Sequence, residues 1–444
     1  MDIALRGAAR ITSLVEGAAE SVEKSGIACT SALETTLFNE MNGLCRTLMS
    51  ELLAYAAQMG VEYNTEVGER NAGKSSKKIV TLFGETENIA RDYYYNSETG
   101  QGHYPFDDAL GLVGRHTPAA ATEMMRCAAR LPFREAAGEF SRSHGFEVSA
   151  DTVRHVVEKC KGCVVEFTKS CGLDASGDAS APDALVYIMA DGTGVPFRKK
   201  DLKGVKGKNG RAKTREVKVG AVFVGSKTED NEPHRNLDTT TYVATTNRSE
   251  KFGKILRGEF DRRFHEKPTT TIYISDGGKW LHTIYENEFP FAVEILDLYH
   301  AIEHLKPLML GLNIKEGTKE WDSRHHYWAK CIKSGKTANM LNYIWKNMKD
   351  RLHGDAMREY KYYRSNLSRM KYDEYRAKGW FVGSGVIESG CKTVIGQRFK
   401  QSGMIWSLHG VKALLPLRTL LKSNRLDEFF RYMVKDLSQV EFAA

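Results

Sequence analysis

The spacing of apolar and polar residues divides the chain into segments of different periodicity. Apolar positions follow helical spacing over residues 33–59 and again over 117–160. Between these segments, two short runs of β-forming residues, 79–83 and 88–95, predict a β-hairpin. The polar run 71–78 contains glycine and serine and predicts a linker before the hairpin.

The second helical segment has the rhythm of a helix-turn-helix. It predicts a helix over residues 133–141, a turn through Gly145, and a second helix over 150–159 with Ser149 as its N-cap. The second helix would present Arg154 to a DNA groove or backbone. An ordinary helical pair in a small bundle has the same pattern, so both interpretations stay open.

Beyond residue 182 the helical spacing gives way to short β-branched runs. Strands are predicted at 185–190, 215–224, 239–244, 270–275 and 291–296, with a helix at 249–264. This order is the one expected of an RNase H-like core, an α/β fold with a mixed sheet in which the first and fourth strands are neighbours. The next stretch is rich in aromatic and basic residues without β signal, which predicts a helical insertion.

These patterns predict an α/β protein whose catalytic core follows a mainly helical N-terminal region. The predicted parts are an N-terminal helical region (1–75), a region with the helix-turn-helix (76–180), the first part of the core (181–300), the helical insertion (301–378), the second part of the core (379–425) and a C-terminal tail (426–444).

Three carboxylates stand at chemically informative points of this pattern. Asp191 in YIMADGTG and Asp276 in IYISDGGKW each close a β-branched run and precede a glycine, and Glu388 in FVGSGVIESG opens a helix. Acids at the ends of neighbouring strands can share hard cations, and Mg²⁺ binds through one or two carboxylates together with substrate phosphates. The sequence therefore predicts a site for two Mg²⁺ ions, with Mn²⁺ as a substitute, that performs phosphoryl transfer.

Composition narrows the class of protein. With 41% apolar and 27% charged residues the chain is expected to be a soluble globular protein. No run approaches the roughly 18 apolar residues of a membrane helix, and the charged N-terminus does not resemble a secretory signal. The eight scattered cysteines favour reduced thiols in a cytoplasmic setting.

The positive charge of the chain is concentrated in two segments. Residues 196–218 contain ten Lys or Arg against two acids, and residues 389–426 contain seven and no acid. Basic segments beside acidic metal sites fit a polyanionic substrate, whereas solvated lysine-rich loops are the alternative. The residues predicted to contact DNA phosphates are Lys199, Lys200, Lys206, Lys208, Arg211, Lys392, Arg398 and Lys400.

Two short motifs offer a rival chemistry based on zinc. His300, Glu303 and His304 match the H-x-x-E-H pattern of a peptidase, although no distal ligand is evident. Cys160 and Cys163 form one Cys-x-x-Cys pair without a second, for which idle thiols are the favoured interpretation.

The motifs taken together resemble those of insertion-sequence DDE transposases, in particular the Kra group of bacterial elements. The matching stretches are LPFREAAGEF, ADGTGVPF, REVKVGAVFV, ISDGGKW, EILDLYHAIEHL and GWFVGSGVIESGCKTVIGQRFKQSGMIW. The resemblance implies an RNase H-like domain in which Asp191, Asp276 and Glu388 bind the metal ions and catalyse cutting and joining of DNA. It also implies a role for Asp297 and His300, an Asp-x-x-His signature, in positioning DNA or the acids.

The resemblance further implies the partners of the protein. They are double-stranded DNA, as the terminal inverted repeats of the element and as target DNA, and further copies of the same chain assembled on that DNA. The expected location is the bacterial cytoplasm, at the nucleoid. A catalytically inactive DNA-binding descendant and a structure-selective nuclease with the same core are the alternatives.

Overall fold

The computed structural model describes residues 2–26, 29–170, 185–207, 210–264 and 270–434. The chain forms two compact units, one of Met1–Phe167 with Leu426–Ala444 and one of Thr168–Arg425. Most of the small-residue stretch ahead of the first predicted core strand lies outside the described residues.

The first unit combines helices with a three-stranded antiparallel sheet of order β1-β2-β3. Its elements are α1 (Asp2–Ser25), α2 (Thr30–Met59), β1 (Glu69–Thr81), β2 (Gly84–Asn96), β3 (Gln101–His103), α3 (Pro105–Ala109), α4 (Pro118–Arg130), α5 (Phe133–His144) and α6 (Ala150–Ser170). Leu53 and Ala57 of α2 pack on Ile79, Ile89 and Phe106 to form a small apolar core. The predicted hairpin and the predicted helices are present.

The linker predicted over residues 71–78 is wrong, because this run belongs to β1. Lys74 pairs with Asp92 and Lys77 with Ile89 across the β1–β2 ladder. Side chains in this half of the strand are mostly exposed. A β-ribbon that faces solvent on both sides does not need alternating apolar and polar residues. The polar sequence of residues 71–78 therefore did not distinguish a strand from a loop.

The two helices and the turn predicted over residues 133–159 are present, and the second helix is longer than predicted. Gly145 ends α5 in the left-handed region with φ of 70°, and the Ser149 hydroxyl accepts a hydrogen bond from the Thr152 amide at 3.0 Å. Such a cap satisfies an amide that the first helical turn leaves without a partner. DNA binding by this pair stays a prediction.

The second unit is built on a mixed sheet of order β11-β10-β4-β7-β8, in which β9 also pairs with β7. Its strands are β4 (Leu185–Pro196), β5 (Lys206–Gly207), β6 (Gly210–Arg211), β7 (Thr214–Lys227), β8 (Pro233–Arg235), β9 (Thr241–Thr245), β10 (Thr270–Ser275) and β11 (Val293–Leu296). β4, β10 and β11 run parallel, whereas β7 is antiparallel to β4, β8 and β9. All five predicted strands are present.

Helices α7 (Ser249–Arg263) and α8 (Lys279–Glu288) cover one face of this sheet. The buried cluster between them includes Val186, Ile188, Val222, Phe252, Leu256, Phe260, Leu281 and Ile284. Burying one such side chain contributes about 1.5–3 kcal/mol. Tyr187 and Phe223, which alternate with cluster residues along their strands, stack on each other and meet Phe381 edge to face.

The segment predicted to be a helical insertion is helical. It contains α9 (Leu298–Glu303), α10 (Leu305–Gly311), α11 (Lys319–Lys333), α12 (Thr337–Met348), α13 (Gly354–Asn366) and α14 (Tyr372–Ala377), followed by α15 (Gly385–Gly390), a π-helical turn (Cys391–Gly396), α16 (Gln397–Phe399) and α17 (Leu408–Lys422). The Tyr372 hydroxyl donates to the Leu296 carbonyl at 3.0 Å, and the Tyr363 hydroxyl donates to the Ala301 carbonyl at 2.6 Å. These bonds fasten the helices to the end of β11.

The segment predicted as a C-terminal tail begins with a helix, α18 (Leu426–Val434), that belongs to the first unit. Asp427 pairs with Arg126 at 2.7 Å, and Phe429 packs on Phe167. Among the described residues, none of the helices combines the length and apolar character needed to cross a bilayer.

Candidate active site

Asp191 and Asp276 lie on neighbouring parallel strands at the same level of the sheet. The last paired residues of these strands are Met189 and Ile274, and each aspartate follows two residues later. Parallel strands keep a constant register, so both carboxyl groups emerge at one edge of the β4–β10 pair. The prediction that the first and fourth core strands are neighbours is confirmed.

The expectation that Asp191 ends its strand is wrong, because β4 continues to Pro196 in contact with β7. Asp191 pairs with Val219 in that ladder. A Cβ on Gly192 would meet the end of the flexible Glu216 side chain, which would have to move aside. Asp191 therefore lies at the end of the parallel contact with β10 and inside the antiparallel contact with β7.

Short local hydrogen bonds orient both aspartates. One oxygen of Asp191 accepts from the Gly192 amide at 2.6 Å, and the Cys391 thiol donates to the other at 3.5 Å. One oxygen of Asp276 accepts from the Gly278 amide at 2.8 Å. The tight turn after Asp276 needs Gly277, whose φ of 83° disfavours residues with a side chain.

Glu388 lies on α15 and is connected to Asp297 through Ser384. The Ser384 hydroxyl donates to Glu388 at 3.1 Å, and the Ser384 amide donates to Asp297 at 2.5 Å. The second oxygen of Asp297 accepts from the His300 amide at 2.8 Å, which caps α9. Asp297 is 1% exposed. A buried carboxylate with these two donors holds the turn that carries Glu388, whereas the His300 ring lies 3.5 Å from Glu303 at the surface.

The pKa of Asp191 depends on the other two acids. Burial raises the pKa of Asp191, and the charges of Asp276 and Glu388 raise it further, against the opposing hydrogen bonds from Gly192 and Cys391. Mutual repulsion of this kind requires that the acids lie near one another. The β4–β10 register places Asp191 and Asp276 at one edge of the sheet, and the Cys391 contact brings the segment that follows Glu388 next to Asp191.

The donor set of these acids fits hard divalent cations. Within the described residues no three His, Cys, Asp or Glu side chains are grouped tightly enough to enclose a single ion. Mg²⁺ does not need such a cage, because it keeps several waters and takes one or two carboxylates together with substrate oxygens. Asp191, Asp276 and Glu388 offer only oxygen ligands, and the mutual repulsion at Asp191 is the kind that a cation relieves.

A π-helical turn follows Glu388 and was not anticipated from the sequence. In Cys391–Gly396 the backbone bonds shift by one residue, which leaves carbonyl groups to be satisfied from elsewhere. Arg418, 3% exposed, donates to the carbonyls of Val394 at 3.1 Å and Thr393. No residue in VIESGCKTVIGQ marks such a turn, so sequence reasoning missed both Arg418 and the Cys391 contact.

The basic residues predicted to contact DNA differ in their surroundings. Lys199 and Lys200 are exposed on a 3₁₀ turn, Lys392 is exposed one turn after Glu388, and Lys400 donates to the Thr193 hydroxyl at 2.5 Å. Lys206 and Arg211 pair through their backbones in the β5–β6 ribbon, and Lys208 lies outside the described residues. In the other unit, Arg154 is held by Asp151 at 3.0 Å and by Glu158 at 3.0 Å.

Arg398 does not fit the predicted phosphate contact. Its side chain is fully buried, and its guanidinium lies 5.2 Å from the ring centre of Trp406. The prediction rested on the run of basic residues without acids in this part of the sequence, which does not distinguish a buried arginine from an exposed one. Trp406 in turn donates to the Phe399 carbonyl at 3.0 Å and is a packing residue here.

The two zinc motifs lack the geometry of a metal site. α9 ends at Glu303, and His304 is engaged by Glu359 at 2.5 Å and stacks on Tyr362. Cys160 is 1% exposed, and burial raises its pKa to about 12, which keeps the thiol protonated. Neither motif belongs to a metal-binding group within the part of the chain that the structure describes.

Sheet and site together define a mixed α/β protein with a carboxylate cluster at the edge of its central strands. The chain belongs to the Uncharacterised protein family UPF0236, whose model matches residues 24–426. No curated protein matches it. Among solved structures, the Drosophila P element transposase strand transfer complex is similar at 9% identity and a TM-score of 0.25, over 72% of this chain and 80% of that one.

Proposed function

We propose that this protein is a DDE transposase with an RNase H-like core. It would bind the terminal inverted repeats of an insertion sequence and catalyse metal-dependent cleavage and transfer of DNA strands. The observation that carries the proposal is the β4–β10 register, which sets Asp191 and Asp276 side by side within electrostatic reach of Glu388. The strand order supports it, because the first and fourth core strands are neighbours as that core requires.

In this proposal Asp191, Asp276 and Glu388 hold two Mg²⁺ ions, for which Mn²⁺ substitutes. Bound ions supply Lewis acidity that activates an attacking oxygen and stabilises a leaving oxygen. In the reaction the attacking water or 3′-hydroxyl forms a bond to phosphorus as a P–O bond of the DNA breaks. The attacking oxygen gives up its proton, and the leaving oxygen takes one from solvent.

The residues around the acids act by positioning them. Ser384 fixes one oxygen of Glu388, and Asp297 fixes the amide of Ser384, so the glutamate is oriented before substrate arrives. Cys391 orients Asp191 from the same helical segment. Preorganised groups of this kind avoid the cost of reorganisation during the reaction.

Positive side chains supply the attraction for a DNA backbone. Lys199, Lys200 and Lys392 are exposed, and Lys400 is fixed at Thr193, two residues beyond Asp191 on the same strand. The proposal implies double-stranded DNA as the partner, assembly of several copies on that DNA, and a location at the bacterial nucleoid.

The test is cleavage of a DNA fragment that spans one end of the element, with Mg²⁺ or with EDTA. We expect metal-dependent nicking or joining at the element boundary, and its loss by at least about a hundredfold in Glu388→Gln with DNA binding retained. Glu250→Gln, an exposed glutamate on α7, is the matched control and should cut normally.

Other outcomes distinguish the alternatives. Binding of the element end without cleavage by the wild type would support an inactive DNA-binding descendant. Cleavage of branched DNA or of RNA–DNA hybrids without preference for the element end would support a structure-selective nuclease. Absence of both binding and cleavage would overturn the nucleic-acid assignment.

A further inference from the structure

Two stripes of apolar side chains, exposed except for the partly buried Ala18, Cys45 and Leu48, run along the N-terminal helices. The α1 stripe consists of Ala8, Ile11, Val15, Ala18 and Val22, and the α2 stripe consists of Phe38, Met41, Cys45, Leu48, Leu52, Tyr55 and Met59. Val15 is 62% exposed, Leu52 is 49% exposed and Met59 is 70% exposed. Such exposure of large apolar side chains along whole helices is unusual for a surface with no partner.

The contact between α1 and α2 leaves much of both stripes uncovered. The helices pack closely where Gly7 meets Leu48, whose side chain lies 3.5 Å from the position of a Cβ at that glycine. Arg6 pairs with Glu51 at 3.3 Å across the same contact. The two helices form a helical hairpin whose internal contact uses Gly7 beside the α1 stripe and one member of the α2 stripe, Leu48, and leaves the other large side chains of both stripes exposed.

The spacing of the stripes indicates a helical partner. Successive members are separated by three or four residues in strict alternation in both helices. This alternation is the heptad pattern that packs knobs into holes on another helix. A surface with heptad stripes can pack against the same surface of a second copy. A two-fold axis between the copies allows each stripe to contact the equivalent helix of the other copy.

The charge of the hairpin argues against anionic occupants. α1 and α2 together carry seven acids, Asp2, Glu16, Glu20, Glu23, Glu34, Glu40 and Glu51, against four bases, Arg6, Arg10, Lys24 and Arg46. DNA phosphates require a positive surface. Amphipathic helices that bind anionic lipid carry Lys and Arg on their polar face, which this acidic hairpin lacks.

The size of the hairpin suits a stable dimer. α1 has 24 residues and α2 has 30, which correspond to lengths of about 36 and 45 Å. Two helices of about 10 Å diameter side by side over the shorter length present roughly 700 Å². A standard protein interface buries about 800 Å² on each partner, which is close to this value.

We propose that the α1–α2 helical hairpin dimerises with the hairpin of a second copy of this chain through the two apolar stripes. The dimer forms without DNA and without metal. It therefore does not depend on the catalytic assignment, although a dimer would bring two active sites to one DNA molecule. Charged substitutions in a stripe would have to be buried in the interface, which is costly.

The test is the molar mass of the full chain, measured by light scattering after size exclusion without DNA or metal. We expect twice the monomer mass of 49.9 kDa for the wild type. Val15→Glu and Leu52→Glu should each raise the dissociation constant of the dimer at least about tenfold. The matched controls are Ser13→Glu and Thr35→Glu, which place the same charge on exposed positions outside the stripes.

The helix content of every variant is checked by circular dichroism, so that loss of the dimer is not mistaken for loss of the helices. A monomeric wild type at micromolar concentration would overturn the proposal. So would dimers that survive both stripe substitutions, or that dissociate equally in the controls. A wild-type monomer that binds lipid vesicles would assign the stripes to a membrane surface instead.

Discussion

At the scale of single residues, Asp191 is a carboxyl group whose ionisation the site opposes. Burial and the charges of Asp276 and Glu388 raise its pKa, so the folded protein binds a proton there more tightly than the unfolded chain does. The stability from that proton is complete below the unfolded pKa and is lost as pH rises through the folded pKa. Above the folded pKa the ionised carboxylate therefore costs stability.

Asp191→Asn tests this directly. In EDTA at neutral pH the variant should melt at a higher temperature than the wild type, because the amide removes the repulsion and keeps an acceptor for the Gly192 amide. Mg²⁺ should raise the melting temperature of the wild type and have little effect on the variant. The measurement is thermal unfolding with and without Mg²⁺, beside Asp230→Asn, an exposed turn residue that should respond as the wild type does. Equal Mg²⁺ shifts in all three proteins would contradict metal binding at Asp191.

At the scale of elements, the π-helical turn depends on one distant side chain. The turn leaves some of its carbonyl groups without a backbone donor, and Arg418 of α17 donates to them. Both elements are buried around Arg418. A buried charged donor of this type cannot be removed without leaving acceptors unpaired. The turn that follows Glu388 is therefore stabilised from outside its own sequence.

We expect Arg418→Met to lower the free energy of unfolding by about 2–4 kcal/mol, because it leaves buried carbonyls without donors. Urea denaturation measures the change. Lys412→Met, on the same helix and only partly buried, should cost less than about 1 kcal/mol. A similar loss in the two variants would show that Arg418 has no special role in the turn.

The elements that could be predicted from the sequence are those whose apolar residues are buried in the fold. The runs that became β4, β7 and β10 are apolar because the sheet is covered on both faces, so their periodicity was visible. β1 was missed over its polar half because its exposed ribbon has no such constraint. Arg398 was assigned to a DNA contact because of the basic bias of residues 389–426, and charge alone does not show that its side chain is buried.

In the site, too, residues with local sequence signals could be predicted and long-range contacts could not. Asp191 and Asp276 were found because strand ends and glycines are local signals. The contacts of Asp297 with Ser384 and of Cys391 with Asp191 join distant parts of the chain, and no local pattern specifies them. Asp297 entered only through its family signature.

At the scale of the whole molecule, the excess of positive charge lies in segments that adjoin the acids. If these segments bind DNA, affinity falls steeply with salt, because each phosphate contact releases counterions. The double variant Lys199→Ala, Lys200→Ala removes both exposed lysines. It should reduce the slope of log affinity against log salt concentration by about 2. Fluorescence anisotropy with a duplex at several salt concentrations measures it.

The matched control is the double variant Lys251→Ala, Lys254→Ala, which removes two exposed lysines of α7. It changes the net charge by the same amount at another place on the protein. An unchanged slope in the first variant, or the same change in both, would remove Lys199 and Lys200 from the DNA contact.

The helical insertion has a consequence for the order in which the molecule is made. α9 to α14 stand between β11 and the helix of Glu388, so the ribosome completes the sheet with both aspartates long before it adds the glutamate. A product that stops anywhere in between contains both aspartates and lacks the glutamate. Premature termination or proteolysis in the insertion would then separate the two aspartates from Glu388.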